Sequence, residues 1–274
     1  MALDDEDDLD RSEVLDEIED LLDEEDYEEA LALCDRLIME DPDDGEVLAL
    51  RGEALANVGE FEEALDCYDR VLALDPEADG IDSDRAYLLC ELARIDEAVL
   101  AGERGVASDP KSPSAHYWLA VAHELAGNQL GAERHYRQAN KLNPEEFHLP
   151  TRVSDDEFMQ VVAEVEASFP EELRTAMSNL HISVRDFPTP EIAAGDPPLG
   201  MLIYGFFDGI PLSERTATDA QTQGPSHIFL FKKNLERDCE SRGELKEEID
   251  VTLKHEIGHF FGEDEDDMER LGLD

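Results

Sequence analysis

Lysine is scarce in this chain compared with the acidic residues. Six lysines stand against 71 Asp and Glu residues, the first of them is Lys111, and the formal net charge is −49 at pH 7. Because phosphate binding needs a basic surface, nucleic acid and anionic membranes are excluded as expected partners. Repulsion among so many carboxylates opposes a compact state. Either adaptation to high salt or a compositional preference for Asp and Glu would explain the charge.

Cysteine and long apolar runs are also scarce. The longest apolar stretch, Leu199–Phe207, is far too short to cross a bilayer. The N-terminus, Met1–Asp5, does not have the basic-then-apolar pattern of a signal peptide. Cys34, Cys67, Cys90 and Cys239 show no CxxC or zinc-finger spacing. The first three lie at core-like helical positions, so we expect them to be buried thiols. These features predict a cytoplasmic protein in a reducing compartment.

The chain does contain a repeat with a period of 34 residues. Prolines and small alanines recur at that spacing: Pro42, Pro76, Pro110 and Pro144, with Ala30, Ala64, Ala98 and Ala132. This period, with small residues, an aromatic and a closing proline, is typical of tetratricopeptide repeats, which residues 11–146 resemble. The resemblance implies four antiparallel helix pairs stacked into an all-α solenoid. We expect the preceding segment Met1–Asp10, with six acidic residues, to be a disordered tail.

In the tetratricopeptide family the first helix of each repeat lines a concave surface. The corresponding side chains here would be Leu15, Glu19, Asp23, Glu46, Ala49, Glu53, Tyr87, Glu91, Tyr117, Val121 and Glu124. That surface would be acidic with two tyrosines, and it lacks the Lys, Arg and Asn residues of the carboxylate-clamp version of the fold. We therefore expect a protein or peptide partner with a basic or amphipathic segment. The alternative is a helical spacer that binds no ligand.

The C-terminal half predicts a small α+β domain. Two prolines between residues 143 and 152 indicate a boundary, so we expect a linker at residues 147–153 and a second domain at 154–274. Ser154 and Ser241 are each followed three residues later by Glu, which is the spacing of a helix-starting capping box. The hydrophobic pattern predicts strands at Leu180–Val184, Met201–Phe207 and His227–Phe231 and a long helix at about Glu244–Phe261.

This long helix carries an HExxH motif that begins at His255. Because His255 and His259 are four residues apart, they lie on one helix face, where neutral imidazoles can bind one zinc ion together. Glu256 projects about 100° around the helix and can act as general base for a water molecule. Gly262 suits the left-handed stop of the helix. The alternative is two solvated histidines on a surface helix.

Residues 154–272 resemble a family of small bacterial zincin-like metallopeptidases with a minimal fold. The matching segments are Phe169–Glu172, Tyr204–Gly205, Gly209–Arg215, Ile228–Phe231, His255–Gly262 and Leu271–Gly272. The family pattern is HExxHxxGxxD, and this chain has Glu265 at its last position. The resemblance implies a zinc ion held by His255, His259 and Glu265, with Asp264 or Asp266 as alternatives for the third ligand.

The leading hypothesis is a zinc-dependent peptidase whose repeat module recruits a protein substrate or partner. The alternative is a non-catalytic interaction scaffold in which the zincin-like unit is inactive or only binds metal. Tyr204 and Arg215 are candidates for oxyanion stabilisation, although packing or ion pairing is favoured for both. Five other histidines are not expected to be ligands. His116, His123 and His135 suit surface or core positions, and His181 and His227 lie near strand ends without a partner at a ligand spacing.

Overall fold

The computed structural model describes residues 11–195, 198–214 and 226–262. The predicted tail, Met1–Asp10, lies outside this part of the chain. None of the helices in the described ranges is both long enough and apolar enough to cross a membrane.

The chain divides into two compact units. One runs to Phe147 and also includes Ala193–Gly200, and the other comprises His148–Ile192 and continues from Met201. Each unit has its own hydrophobic core.

The first unit consists of four helix pairs, as the period predicts. The helices are α1 (Arg11–Asp23), α2 (Tyr27–Glu40), α3 (Gly45–Asn57), α4 (Phe61–Leu74), α5 (Ile81–Glu91), α6 (Ile95–Ser108), α7 (Pro113–Leu125) and α8 (Gln129–Leu142). The four periodic alanines are completely buried, because each stands where the two helices of a pair approach each other.

The second helix of each repeat ends at the same point for the same reason. The residue that follows it precedes a proline and has a φ between −125° and −145°, at Asp41, Asp75, Asp109 and Asn143. The proline ring clashes with an α conformation of the residue before it, so the helix cannot continue. The four prolines therefore set the period of the fold as well as that of the sequence.

The second unit combines a three-stranded sheet with helices. Its elements are α9 (Asp155–Ser168), α10 (Glu171–Ala176), β1 (Leu180–Arg185), α11 (Pro190–Ala193, whose last residue belongs to the first unit), β2 (Gly205–Asp208), β3 (Ser226–Phe231), α12 (Lys232–Arg237) and α13 (Arg242–Phe261). The strand order is β1-β3-β2, with β1 parallel and β2 antiparallel to β3. Core side chains from the sheet and from α9 and α13 pack together, among them Phe158, Ile228, Leu230 and Leu253.

One strand prediction was wrong in its extent. The predicted strand Met201–Phe207 is regular only from Gly205 onward. The Asn234 side chain donates hydrogen bonds to the carbonyl oxygens of Met201 and Ile203 at 2.9 and 2.7 Å. The Asn234 side chain thus pairs with backbone carbonyl oxygens that a neighbouring strand would otherwise bond. A pattern of apolar residues cannot predict such a side-chain contact.

The two predicted capping boxes also differ. At Ser154 the box is complete, because Ser154 accepts from the Glu157 N–H and Glu157 accepts from the Ser154 N–H. At Ser241 the hydroxyl accepts from the Glu244 N–H, but the Glu244 carboxylate accepts from the N–H of Glu240 at 2.8 Å. The start of α13 is therefore fixed as predicted, with its second bond one residue earlier.

Candidate functional site

The HExxH histidines face each other on the exposed side of α13. The Nε2 atoms of His255 and His259 are 3.0 Å apart, and the ring planes are nearly perpendicular, with centroids 4.6 Å apart. Ile249, Leu253 and Ile257 of the same helix are completely buried, which fixes the opposite side of α13 against the core. Two imidazole nitrogens that converge at an exposed surface form a donor set that fits a zinc ion.

Glu256 occupies a different environment from the two histidines beside it. Its side chain is only 7% exposed. Burial raises the pKa of Glu256 to about 7, and a hydrogen bond from the backbone N–H of Phe207 acts in the opposite direction. A carboxyl group with a pKa close to the working pH can both accept and return a proton, which is the requirement for a general base.

Helix α13 ends at the glycine that the sequence predicts. Gly262 caps the helix with a φ of 77°, and its N–H donates to the carbonyl oxygens of Gly258 and His259. A Cβ at Gly262 would overlap the Ser213 hydroxyl oxygen, so both the conformation and the contact require glycine.

The third metal ligand remains a prediction. Glu265, Asp264 and Asp266 all lie outside the described residues. Within the described ranges, no three His, Cys, Asp or Glu side chains are grouped closely enough to hold a metal ion. The structure therefore brings together two of the three predicted ligands, and the predicted base is the buried residue between them in the sequence.

The other candidate residues of the second unit have local partners. The Tyr204 hydroxyl donates to Asp238 at 2.9 Å, which agrees with the packing role. Arg215 lies outside the described residues. His181 and His227, which have no partner at a ligand spacing in the sequence, are direct neighbours in β1 and β3, with ring centroids 5.5 Å apart. Strand register brings them together, and the sequence gives no sign of that register.

In the repeat unit the predicted concave residues separate into two groups. Leu15, Glu91, Val121 and Glu124 are buried, and Glu124 accepts a hydrogen bond from the Tyr136 hydroxyl at 2.9 Å. Aromatic rings form a continuous row with centroid distances of 6.3, 4.7, 5.0 and 5.2 Å between neighbours, in the order Phe61, Tyr87, Trp118, Tyr117 and Phe147. Only the two tyrosines were predicted from the sequence.

Three other predicted carboxylates of this surface lie close enough to interact: Glu19, Asp23 and Glu53. Burial, followed by the charges of Asp23 and Glu19, raises the pKa of Glu53. Burial and the charge of Glu53 raise the pKa of Asp84 to about 7. Asp84 lies one helical turn before Tyr87. It was not predicted, because it has no role in the repeat pattern. We call Glu19, Asp23, Glu53 and Asp84 the acidic patch.

The histidines of the fourth repeat are buried, as expected for structural residues. His116, His123 and His135 are each less than 10% exposed, and the rings of His116 and His135 stack with centroids 5.1 Å apart. All four cysteines are likewise buried and free, which confirms the prediction of buried thiols for Cys34, Cys67 and Cys90.

Solved structures share similarity with about half of the chain. MamA 41-end from Desulfovibrio magneticus RS-1 is 26% identical over 48% of this chain and 75% of that chain, with a TM-score of 0.44. MamA AMB-1 is 21% identical over 50% of this chain and 82% of that chain, with a TM-score of 0.45. No curated protein matches the chain.

Family models account for both units. Residues 21–86 and 83–146 match two models of the tetratricopeptide repeat. Residues 177–273 match the model of the zincin-like metallopeptidases. The chain thus carries tetratricopeptide repeats in its N-terminal half, followed by a zincin-like metallopeptidase domain.

Proposed function

We propose that the protein is a zinc-dependent peptidase whose repeats recruit a protein substrate or partner. The observation that carries the proposal is the convergence of the His255 and His259 Nε2 atoms, 3.0 Å apart, beside the buried carboxyl group of Glu256. The match to the zincin-like metallopeptidase model supports it. We also propose that the repeats end near residue 146, that residues 147–153 are a linker, and that the peptidase domain begins at residue 154.

The proposed zinc ligands are His255, His259 and Glu265. A zinc ion at such a site supplies Lewis acidity, which activates water near neutral pH and polarises a peptide carbonyl. Glu256 accepts a proton from the attacking water and passes it to the leaving amine. The side chain is only 7% exposed, so little bulk water reaches the carboxyl group.

The repeats serve protein–protein interaction, and we propose a basic segment as the partner. The acidic patch attracts lysine and arginine, and the neighbouring aromatic row can pack against their aliphatic stems or against guanidinium planes. The four free, buried thiols suit a reducing compartment, so we place the protein in the cytoplasm.

A non-catalytic scaffold is the second candidate. The aromatic row and the acidic patch favour it, because they form an interaction surface that does not depend on the HExxH helix. In that case the zincin-like unit binds metal without hydrolysis.

Substitution of Glu256 by Gln separates these two functions. We expect Glu256→Gln to keep one zinc per chain and to lose hydrolysis of a peptide library, because Glu256 is assigned as base and not as ligand. Glu247→Gln, an exposed position on the same helix, is the matched control and should keep both properties. Wild-type protein that binds zinc but cleaves no peptide would favour the scaffold, and loss of zinc in Glu256→Gln would refute the assignment of roles.

A further inference from the structure

Strand β2 approaches the catalytic helix α13 unusually closely at Gly205. A Cβ at this position would lie 2.7 Å from the Thr252 Cγ2 atom, 2.9 Å from the Glu256 Cγ atom and 2.9 Å from the Glu256 Oε1 atom. Real Cβ contacts are essentially never shorter than 3.0 Å. Any side chain at position 205 must therefore displace Glu256 or move the helix away from the strand.

There is little space for either displacement. Thr252 and Glu256 are 6% and 7% exposed, and their neighbours Leu253 and Ile257 are completely buried in the core. Strand β2 is itself held by β3, with Gly205 opposite Leu230 and Phe207 opposite Ile228. Close-packed interiors respond to an added methyl group by shifting side chains from their preferred positions.

The same strand also supplies a hydrogen-bond donor. The backbone N–H of Phe207, two residues after Gly205, donates to the Glu256 carboxylate. Strand β2 thus acts on Glu256 twice, because the missing side chain of Gly205 leaves room for the carboxylate and the Phe207 N–H holds it there. The two effects together restrict the carboxylate of Glu256 to one place against strand β2.

We propose that Gly205 is a positioning residue that keeps the Glu256 carboxylate on the Phe207 N–H and aligned for proton transfer. The proposal rests on the proposed peptidase function only for its kinetic consequence.

Gly205→Ala tests the proposal, with Gly209→Ala as the matched control. A Cβ at Gly209 would overlap the Ser226 hydroxyl oxygen and meet Ser226 Cβ at 2.9 Å and the Phe207 Cζ atom at 3.0 Å, so it crowds the end of the same strand, and none of these three nearest atoms belongs to Glu256. We expect Gly205→Ala to lower kcat at least about tenfold with KM and zinc content unchanged, because small displacements of catalytic groups cost up to about a hundredfold. Gly209→Ala should destabilise the fold with kcat retained. Equal loss of kcat in both variants would show that Gly205 has only a packing role.

Hydrogen exchange of the Phe207 amide provides a readout that does not need activity. Exchange should accelerate about tenfold or more in Gly205→Ala and in Glu256→Ala, which removes the acceptor, while the amides of β3 stay protected. Unchanged exchange in Gly205→Ala would overturn the proposal, whatever the kinetics. Accelerated exchange in Gly205→Ala, together with a wild-type protein that hydrolyses no peptide, would instead refute the peptidase function and keep the positioning role.

A double variant covers the case in which Gly205→Ala does not fold. Thr252→Ser removes the Cγ2 atom that makes the shortest of the three contacts. Gly205→Ala/Thr252→Ser should therefore fold and still displace Glu256, with the same loss of kcat and of Phe207 protection. Full recovery of both in the double variant would mean that Thr252, and not Glu256, is the residue that Gly205 accommodates.

Discussion

Each unit of this molecule contains a pair of histidines whose ring nitrogens face each other at almost the same distance. In the second unit the Nε2 atoms of His255 and His259 are 3.0 Å apart, and in the repeat unit the Nδ1 atoms of His116 and His135 are 2.9 Å apart. Such a distance suits two ligands of one metal ion and also a hydrogen bond between two rings. The surroundings of the rings must therefore decide between the two interpretations.

For the repeat pair the surroundings fix the tautomers. The Arg134 guanidinium can only donate, and its Nη2 lies 2.8 Å from the His135 Nε2, which must accept. His135 then carries its proton on Nδ1 and donates to the His116 Nδ1, and the His116 Nε2–H donates to the Pro110 carbonyl oxygen at 3.2 Å. All four nitrogens are paired in a neutral, buried chain of hydrogen bonds, beside a guanidinium that would repel a metal ion.

The HExxH pair has the opposite character. His255 and His259 are exposed and belong to one helix, so helix geometry brings them together without packing between elements. The comparison teaches that the same short distance occurs in a buried, hydrogen-bonded pair and in an exposed pair on one helix face, so burial is the property that separates the two.

The largest expected effect is the loss of the metal ion, which tests whether the HExxH pair, and not the repeat pair, binds zinc. We expect one zinc per chain in wild-type protein and none in His255→Ala, measured by metal analysis after purification and zinc reconstitution. His135→Phe should keep the full zinc content. A chelator should lower the melting temperature of wild-type protein, because a ligand that binds only the folded state stabilises it. Zinc lost from His135→Phe and retained by His255→Ala would reverse our assignment of the two pairs.

The next effect concerns the third ligand. Glu265→Ala should weaken zinc binding by more than about 100-fold, because even outer partners of metal ligands account for about 10–100-fold. Asp264→Ala and Asp266→Ala are the controls and should change the affinity little. The measurement is competition with a chelator of known affinity. If Asp264→Ala is the variant that loses zinc, the chain after Gly262 follows a register that differs by one residue from our prediction.

A smaller effect separates the two pairs by pH. Burial lowers the pKa of His135 to about 4, and the charges of Arg134, His116 and His123 lower it further. Burial also lowers the pKa of His123, where the charge of Glu103 acts in the opposite direction. An unfolded histidine titrates near 6.5, so the unfolded chain binds the proton first and stability falls as pH decreases from about 6.5 to about 4. The loss amounts to at most about 3 kcal/mol.

His135→Phe tests this pH dependence because it cannot titrate. The free energy of unfolding, followed by urea titration at several pH values, should fall less steeply between pH 6.5 and pH 4 in His135→Phe than in wild-type protein. Carboxylates titrate in both proteins, so only the difference between the two slopes reports on the hydrogen-bonded chain. Identical slopes would contradict the neutral pairing of His116 and His135.

These comparisons also show which features of the structure could be predicted from the sequence. The repeat and the HExxH helix were predictable because both depend on local spacing, through prolines every 34 residues and histidines four residues apart. The bond between His116 and His135 depends on how α7 packs against α8, and the contact between Gly205 and Glu256 on how β2 packs against α13. Such contacts join residues that have no fixed spacing in the sequence, so no periodic pattern predicts them. Asn234, which displaces part of a predicted strand, was missed for the same reason.

The smallest expected effect concerns the repeat surface. A lysine-rich peptide should bind the wild-type chain and lose affinity as salt rises, because screening at physiological ionic strength acts over about 8 Å. Asp84→Asn should weaken binding about two- to fivefold, the size expected for one partly exposed ion pair. Asp66→Asn, an exposed carboxylate of α4 outside the acidic patch, is the control and should leave binding unchanged. Trp118 is the chain's one tryptophan and lies in the aromatic row, so its fluorescence reports on the surface directly. Binding that is insensitive to salt, or weakened equally by both substitutions, would refute the acidic patch as the attractive element and leave the aromatic row as the recognition surface.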